Sequence, residues 1–127
     1  MVEEIVTDDA PAAIGPYAQA VKAGNLLFLS GQLPIDPNDQ QLVHREVRTQ
    51  TRQVLANINS ILKSQQMKIT NLVKTTIFIN DMNHFQEINE EYSQFMQEHR
   101  PARSAVEVSR LPKDVLVEIE AIAVFED

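Results

Sequence analysis

The last quarter of the chain, Arg100 to Phe125, constrains the fold more than any other segment. Two runs rich in aliphatic residues flank a short polar turn from Arg110 to Asp114, and Pro112 lies inside that turn. Proline and charged residues between two apolar runs are typical of a chain reversal between strands. The segment therefore predicts a terminal pair of strands that the turn joins directly.

The second of these strands alternates between two kinds of position, as a strand with one buried face does. Its two carboxylates, Glu118 and Glu120, fall on the same face, roughly 7 Å apart along the strand. Like charges on a half-apolar face lower stability unless an opposite charge compensates them, and Arg103 in the preceding strand is a nearby candidate. The residues alone leave two interpretations open: an ion pair that ties the strands together, or a small-anion site. The predicted faces are Val115, Val117, Ile119, Ala121 and Ala123 on one side, and Leu116, Glu118, Glu120, Ile122 and Val124 on the other.

Two segments have the period of amphipathic helices. In Glu46 to Gln66 the apolar residues recur at helical spacing, and we expect the polar side of this helix to face solvent. Asn83 to Glu98 has a second apolar stripe, with Asn83 as a candidate cap. Between the two, Leu72 to Ile79 is a β-branched run, which predicts a strand.

The first third of the chain predicts strands and loops. Gly24-Asn25 is a two-residue hairpin signal, and the run that follows it is apolar on both faces, which predicts a central strand. The predicted strands are Ile5–Thr7, Ala18–Ala23 and Leu26–Ser30, and the predicted loops are Asp8–Tyr17 and Pro34–Gln41.

The predicted order is therefore β-β-β-α-β-α-β-β. It indicates a single domain over residues 1–127 with an α+β fold, in which a mixed sheet carries two helices on one face. The other face of the sheet stays uncovered, although the strand at 72–79 carries apolar residues on both sides. Because an uncovered, half-apolar face favours self-association, we expect a homo-oligomer.

Charge and composition argue against several classes of function. The formal net charge of −7 argues against nucleic acid as the main partner. The absence of cysteine excludes a disulfide, a thiol nucleophile and a cysteine-based metal site. The three histidines have no metal-ligand spacing, so we expect no metal and no cofactor. No signal peptide or membrane-spanning run is present, which predicts a cytoplasmic protein without a membrane partner.

Five ordered motifs connect these features to a known family. The chain resembles the RidA/YjgF family of reactive-intermediate deaminases almost from end to end. The resemblance implies a chorismate-mutase-like α+β fold, assembly as a homotrimer, and active sites in clefts between subunits. The motifs are Ala10 to Tyr17, Ser30 to Pro34, Val73 to Ile79, Pro101 to Ser104, and Val106 to Ala123.

The activity implied by this resemblance is hydrolysis of 2-imino acids and their enamine tautomers to 2-keto acids and ammonia. The substrates, 2-iminobutanoate and 2-iminopropanoate, are released by pyridoxal-phosphate enzymes. Arg103 would hold the substrate carboxylate, and Glu118 would orient and polarise the attacking water. The implied pocket residues are Tyr17, Ser30, Gly31, Asn89, Tyr92 and Ala105.

Two departures from the family pattern concern substrate preference. Ala105 stands where many relatives carry cysteine, but that position is thought to act through its backbone, so we expect activity to survive. The loop before Pro101 is shorter than in some relatives, and Arg100 there is placed to reshape the mouth of the pocket.

Two other functions stay open from the sequence. Some relatives are described as regulators or chaperone-like proteins, so the pocket could instead sense a 2-keto acid without catalysis. Such a sensor would need Arg103 but would have little use for Glu118. RNA cleavage, also attributed to the family, ranks third because the net charge is −7 and no histidines are paired.

Overall fold

The computed structural model describes residues 2–126. Its strands and helices alternate in the predicted order, with one short ribbon added. In chain order they are β1 (Val2–Ile5), β2 (Ala20–Ala23), β3 (Leu26–Gln32), β4 (Ile35–Asp36), β5 (Gln41–Leu42), α1 (Val47–Ser64), β6 (Leu72–Ile79), α2 (Phe85–Met96), β7 (Ala102–Glu107) and β8 (Val117–Val124).

The main sheet has six strands in the order β1-β2-β3-β8-β6-β7. Only β6 and β7 are parallel to each other, because α2 carries the chain back across the sheet between them. Helix α1 packs on β3 and β8, and α2 packs beside α1. The predicted α+β fold, with a mixed sheet and both helices on one face, is confirmed.

The core lies between the helices and one face of the sheet. Ile58, Ile61 and Leu62 of α1 are fully buried, as are Leu27 of β3 and Ile119 of β8. Burying each such side chain contributes about 1.5–3 kcal/mol to folding. The buried face of β8 consists of Val117, Ile119, Ala121 and Ala123, so the predicted alternation is confirmed from Val117 onward. Val115 and Leu116, which the prediction placed on opposite faces of this strand, precede it, and both are buried.

The predicted terminal hairpin is wrong. Strands β7 and β8 do not pair, because β6 lies between them and hydrogen-bonds to both. The connection from β7 to β8 crosses the end of β6, where Val108 N–H donates to the carbonyl of Ile79 and Asn80 N–H donates to the carbonyl of Leu116. The connection between β7 and β8 is longer than a hairpin loop, so it can cross the end of β6.

Smaller differences concern the ends of elements. The first strand ends at Ile5 instead of beginning there. Asn83 does not cap the second helix: it lies in a short 3-10 turn, Met82–His84, whose own cap is Asp81, with the Asp81 carboxylate accepting the Asn83 N–H. The N-cap position of α2 is His84, which makes no side-chain capping hydrogen bond. The predicted polar loop at 34–41 contains β4 and forms the narrow ribbon with β5.

The polar side of α1 is not simply a solvated face. Gln50 is buried, and its side-chain oxygen accepts the Leu116 N–H at 2.8 Å. Asn57 is also buried and donates to the main-chain carbonyls of Leu33 and Ile35. These amides satisfy backbone groups that would otherwise be buried without partners.

No helix of residues 2–126 packs on the second face of the sheet. Phe28 on this face is 41% exposed, and Lys74, Thr76, Glu120 and Ile122 surround it. The face is therefore partly apolar, as predicted, while assembly as a homotrimer stays a prediction. Neither helix within residues 2–126 has the length and apolar character that crossing a membrane requires.

Gln97 ends α2 in a backbone conformation that favours glycine, with φ 56° and ψ −117°. We expect Gln97→Gly to raise the free energy of unfolding by about 0.5–1 kcal/mol, because relief of backbone strain exceeds the added entropy of the unfolded chain. Urea unfolding at one fixed protein concentration measures the change.

The matched control is Gln94→Gly, at an exposed position inside the same helix. This substitution should lower the free energy of unfolding by about 1 kcal/mol. A loss of stability in Gln97→Gly comparable to that of the control would contradict the assignment of strain to Gln97.

Candidate functional site

Arg103 is oriented by residues of α2. It lies on β7 beside Thr75 of β6, so its side chain emerges on the face that the helices cover. One terminal nitrogen, Nη1, donates to Asn89 Oδ1 at 2.7 Å. The guanidinium carbon lies 5.0 Å from the centre of the Tyr92 ring and 5.6 Å from that of Phe85. A cation held over two aromatic faces is oriented while its remaining N–H groups stay available.

Tyr92 is itself held in place by a hydrogen bond to the sheet. Its hydroxyl lies 2.7 Å from Thr75 Oγ1, and both residues are buried. The hydroxyl is therefore occupied within the protein, and Tyr92 offers mainly its ring to the guanidinium. The sequence alone does not mark Phe85 or Thr75 as site residues, because both match the core pattern of their elements.

An open cleft of about 410 Å³ lies between α2 and the start of β7. In the chain segment that closes the cleft, the Nε2 atom of His99 lies 2.7 Å from the carbonyl oxygen of Leu72. Because a carbonyl oxygen only accepts, Nε2 is the donor in this contact. The cleft is lined by Asn89, Tyr92, Ser93, Met96, His99, Arg100, Pro101 and Arg103.

Glu118 lies on the opposite face of the sheet. Its neighbours Val117 and Ile119 are buried toward the helices, so the side chain of Glu118 points away from them. The carboxylate packs directly against Gly31 of β3, where a Cβ atom would lie 1.9 Å from Glu118 Oε2. Any side chain at position 31 would therefore displace the carboxylate. Pairing between β3 and β8 shifts register between Leu29 and Gln32, which brings Gly31 into this contact.

The pKa of Glu118 is raised above its ordinary value. Burial is the main cause, because it disfavours the charged carboxylate, and the nearby charge of Glu120 adds to the effect. A carboxylate with a raised pKa is a stronger proton acceptor once it is ionised.

The loop that carries Tyr17 is held by one buried amide. Gln19 donates to the carbonyls of Thr7, Ala10 and Pro11, and its oxygen accepts the Thr7 N–H. Ser30 also fixes the loop, because its hydroxyl donates to the Ala18 carbonyl at 2.6 Å. The side chain of Tyr17 is 53% exposed. With Gly31 it lines a small recess of about 30 Å³.

Ala105 lies two residues after Arg103 on the same edge strand, paired with Ile77. Its methyl group packs against the core, so the side chain brings no polar group to the site. Whatever Ala105 contributes to binding has to come from its backbone.

The predicted site residues therefore form two groups within one chain. Arg103, Asn89 and Tyr92 lie together on the helix face, whereas Glu118 and Gly31 lie together on the other face. The interpretation of Arg103 and Glu118 as an ion pair between strands is wrong for a single chain, since a sheet separates the two side chains. Within residues 2–126, no three histidine, aspartate or glutamate side chains are grouped to hold a metal ion.

Comparison with known proteins identifies relatives over nearly the whole chain. Residues 7–125 match the sequence model of a family described as endoribonuclease L-PSP. A RutC family protein from Pyrococcus horikoshii is 54% identical over 123 residues, covering 97% of this chain and 98% of that protein. The 2-iminobutanoate/2-iminopropanoate deaminase of Escherichia coli K12 is 49% identical over 127 residues, with 98% of each chain covered.

A solved structure agrees with these sequence matches. The crystal structure of E. coli TdcF with bound serine has a TM-score of 0.92 at 45% sequence identity, covering 98% of this chain and 99% of that one. From the family match over residues 7–125 and relatives about half identical in sequence, we conclude that the chain belongs to the RidA/YjgF family, whose sequence model carries the description endoribonuclease L-PSP.

Proposed function

We propose that this protein hydrolyses 2-imino acids, with 2-iminobutanoate and 2-iminopropanoate as the simplest substrates. It would thereby remove reactive intermediates that pyridoxal-phosphate enzymes release. The observation that carries the proposal is the guanidinium of Arg103, fixed by Asn89 and two aromatic rings with N–H groups to spare. The deaminase relative from E. coli and the serine bound by TdcF support a ligand with an α-carboxylate.

Arg103 would bind the substrate carboxylate. A guanidinium presents parallel N–H groups that match the two oxygens of a carboxylate, and Asn89 occupies only one of its terminal nitrogens through Nη1. Holding the carboxylate fixes the position of the adjacent C2 atom, which is the electrophile. The imine carbon is already electrophilic, so the remaining task is to position water and move protons.

Glu118 would supply the proton transfer. Its carboxylate accepts a proton from water as the water oxygen bonds to C2 and the C=N electrons move to nitrogen, and the protonated Glu118 then gives that proton to the nitrogen, which forms the carbinolamine. In the second half Glu118 takes the hydroxyl proton of the carbinolamine and passes it to the nitrogen, so that the C=O bond forms as the C–N bond breaks. The products are one 2-keto acid and one ammonia for each water consumed. The raised pKa of Glu118 suits this role as a proton acceptor.

The two groups would meet across a subunit interface. Because Arg103 and Glu118 occupy opposite faces of their own sheet, a site that uses both requires residues from two copies of the chain. The uncovered, partly apolar face that carries Glu118 supports such an assembly. We propose a homotrimer with three equivalent sites, each combining Arg103 of one subunit with Glu118 of its neighbour.

Competition for a short-lived imine tests the activity. Threonine dehydratase would generate 2-iminobutanoate, semicarbazide would trap it, and the yield of semicarbazone would be measured. We expect the wild-type protein to suppress trapping, and Arg103→Ala and Glu118→Ala each to lose about a hundredfold or more of that activity.

Gel filtration and unfolding curves of both variants serve as controls for assembly and folding. Wild-type protein that leaves trapping unchanged but binds 2-ketobutyrate through Arg103 would overturn the enzyme and favour a ligand sensor. Full activity of the Glu118→Ala variant would show that Glu118 is not the proton acceptor.

Mixing defective subunits tests the inter-subunit arrangement. Arg103→Ala and Glu118→Ala chains would be co-expressed with different affinity tags, and assemblies carrying both tags would be purified. In a mixed ring of three, one interface combines an intact Arg103 with an intact Glu118, so activity should recover to about one third of wild type.

Assemblies of either variant alone provide the baseline for this recovery. If mixed assemblies are as inactive as the baseline, both groups must come from the same chain or the sites must be arranged differently.

The neighbouring carboxylate predicts a pH effect. Because Glu120 contributes to the raised pKa of Glu118, Glu120→Gln should lower that pKa. The acidic limb of the pH profile of kcat/KM, where Glu118 takes up a proton, should then move to lower pH. Glu3→Gln, an exposed change of the same charge on β1, is the matched control. A limb that stays in place would show that another group controls it.

A further inference from the structure

The cleft between α2 and β7 contains a second guanidinium besides that of Arg103. Arg100 lines the same space of about 410 Å³. Its Nη1 donates to the main-chain carbonyl of His99 at 2.9 Å and also to that of Gln97, so the side chain is attached to the end of α2. Both arginines are exposed.

Neither guanidinium of the cleft has a carboxylate partner among residues 2–126. Arg48, Arg52 and Arg110 each form an ion pair with an acidic side chain, but Arg100 and Arg103 do not. No aspartate or glutamate is among the described residues that line the cleft. Two unneutralised cations in one cleft repel each other, and an anionic ligand that contacts both relieves that repulsion.

A substrate with one carboxylate leaves this second cation unused. Met96 is 3% exposed and Tyr92 is 7% exposed, so these two side chains offer little surface to an alkyl group. Polar atoms make up about half of the exposed lining of the cleft, and both arginines are among the lining residues. A short chain that ends in a second anion can contact both guanidinium groups, whereas an ethyl or methyl group contacts neither as an ion pair.

From these contacts we propose that the preferred substrates are short dicarboxylic 2-imino acids, the class that includes 2-iminosuccinate and 2-iminoglutarate. Arg103 holds the carboxylate next to the imine, and Arg100 holds the distal one. This inference rests on the proposed deaminase function and specifies its substrate class. The reaction is unchanged: water adds its oxygen to C2, the C–N bond breaks, and the products are a 2-keto dicarboxylate and ammonia.

The test compares two substrates in each protein. D-aspartate oxidase generates 2-iminosuccinate and D-amino-acid oxidase generates 2-iminobutanoate from D-2-aminobutyrate, with semicarbazide as the competing trap. We expect wild-type kcat/KM to be higher for 2-iminosuccinate. In Arg100→Gln the ratio of the two kcat/KM values, diacid over monoacid, should fall at least about tenfold, because a charge-assisted pair to the distal carboxylate is lost.

Two further variants separate charge in the cleft from charge elsewhere. Arg100→Lys keeps the cation and should retain part of the preference. Arg110→Gln removes an arginine that pairs with Asp114 outside the cleft, and it should leave the ratio unchanged. An unchanged ratio in Arg100→Gln, or a wild-type preference for the monoacid, would overturn the substrate class while the deaminase function stands.

A binding measurement distinguishes failure of the substrate class from failure of the enzyme. Calorimetry with 2-oxoglutarate, a stable 2-keto dicarboxylate, and with 2-ketobutyrate needs no turnover. One outcome is that 2-oxoglutarate binds more tightly than 2-ketobutyrate, that this difference depends on Arg100, and that the protein hydrolyses neither imine. That outcome would support the two-anion site and overturn the deaminase function. Equal binding of both acids would overturn the two-anion site.

Discussion

The proposed chemistry depends on one constraint, a sheet that is covered by helices on one face only. In a strand, consecutive side chains point to opposite faces, so a single sheet presents two different environments a few ångströms apart. The helix face orders Arg103, because Asn89 and Tyr92 come from the helix that packs over it. The open face holds Glu118 at partial burial. Cation and carboxylate are thereby kept apart in one chain and do not neutralise each other.

The two charged groups are prepared by different means. Arg103 is oriented by attraction, through a hydrogen bond to Asn89 and the faces of two aromatic rings. Glu118 is positioned by shape, because its carboxylate fills the space that a side chain at Gly31 would otherwise occupy. Partial loss of water then makes the carboxylate more basic. The first arrangement depends on polarity, and the second depends on shape.

The sequence predicts local structure here better than it predicts the assembly of the strands. The period of 46–66 and the alternation of 117–124 identify a helix and a half-buried strand, since both patterns are set by which side chains are buried. The order of β7 and β8 does not follow from the sequence, because a turn between two strands along the chain does not reveal that a third strand, β6, lies between them in the sheet. The buried amides Gln19, Gln50 and Asn57 were also not predicted. The sequence pattern does not distinguish a buried amide that bonds to main-chain groups from an amide that is exposed to solvent.

The contact between Gly31 and Glu118 has a consequence for how this protein can diversify. Even a methyl group at position 31 would overlap the carboxylate of Glu118. Position 31 therefore cannot take a larger residue unless Glu118 moves. The segment from Gln97 to Arg100 is mostly exposed and forms no strand, and its contact with the sheet is that of His99 with the Leu72 carbonyl. Its other positions can therefore change in charge at little cost to the fold. We therefore expect natural variation and laboratory selection to change substrate preference by altering the segment from Gln97 to Arg100, while Gly31 and Glu118 stay constant.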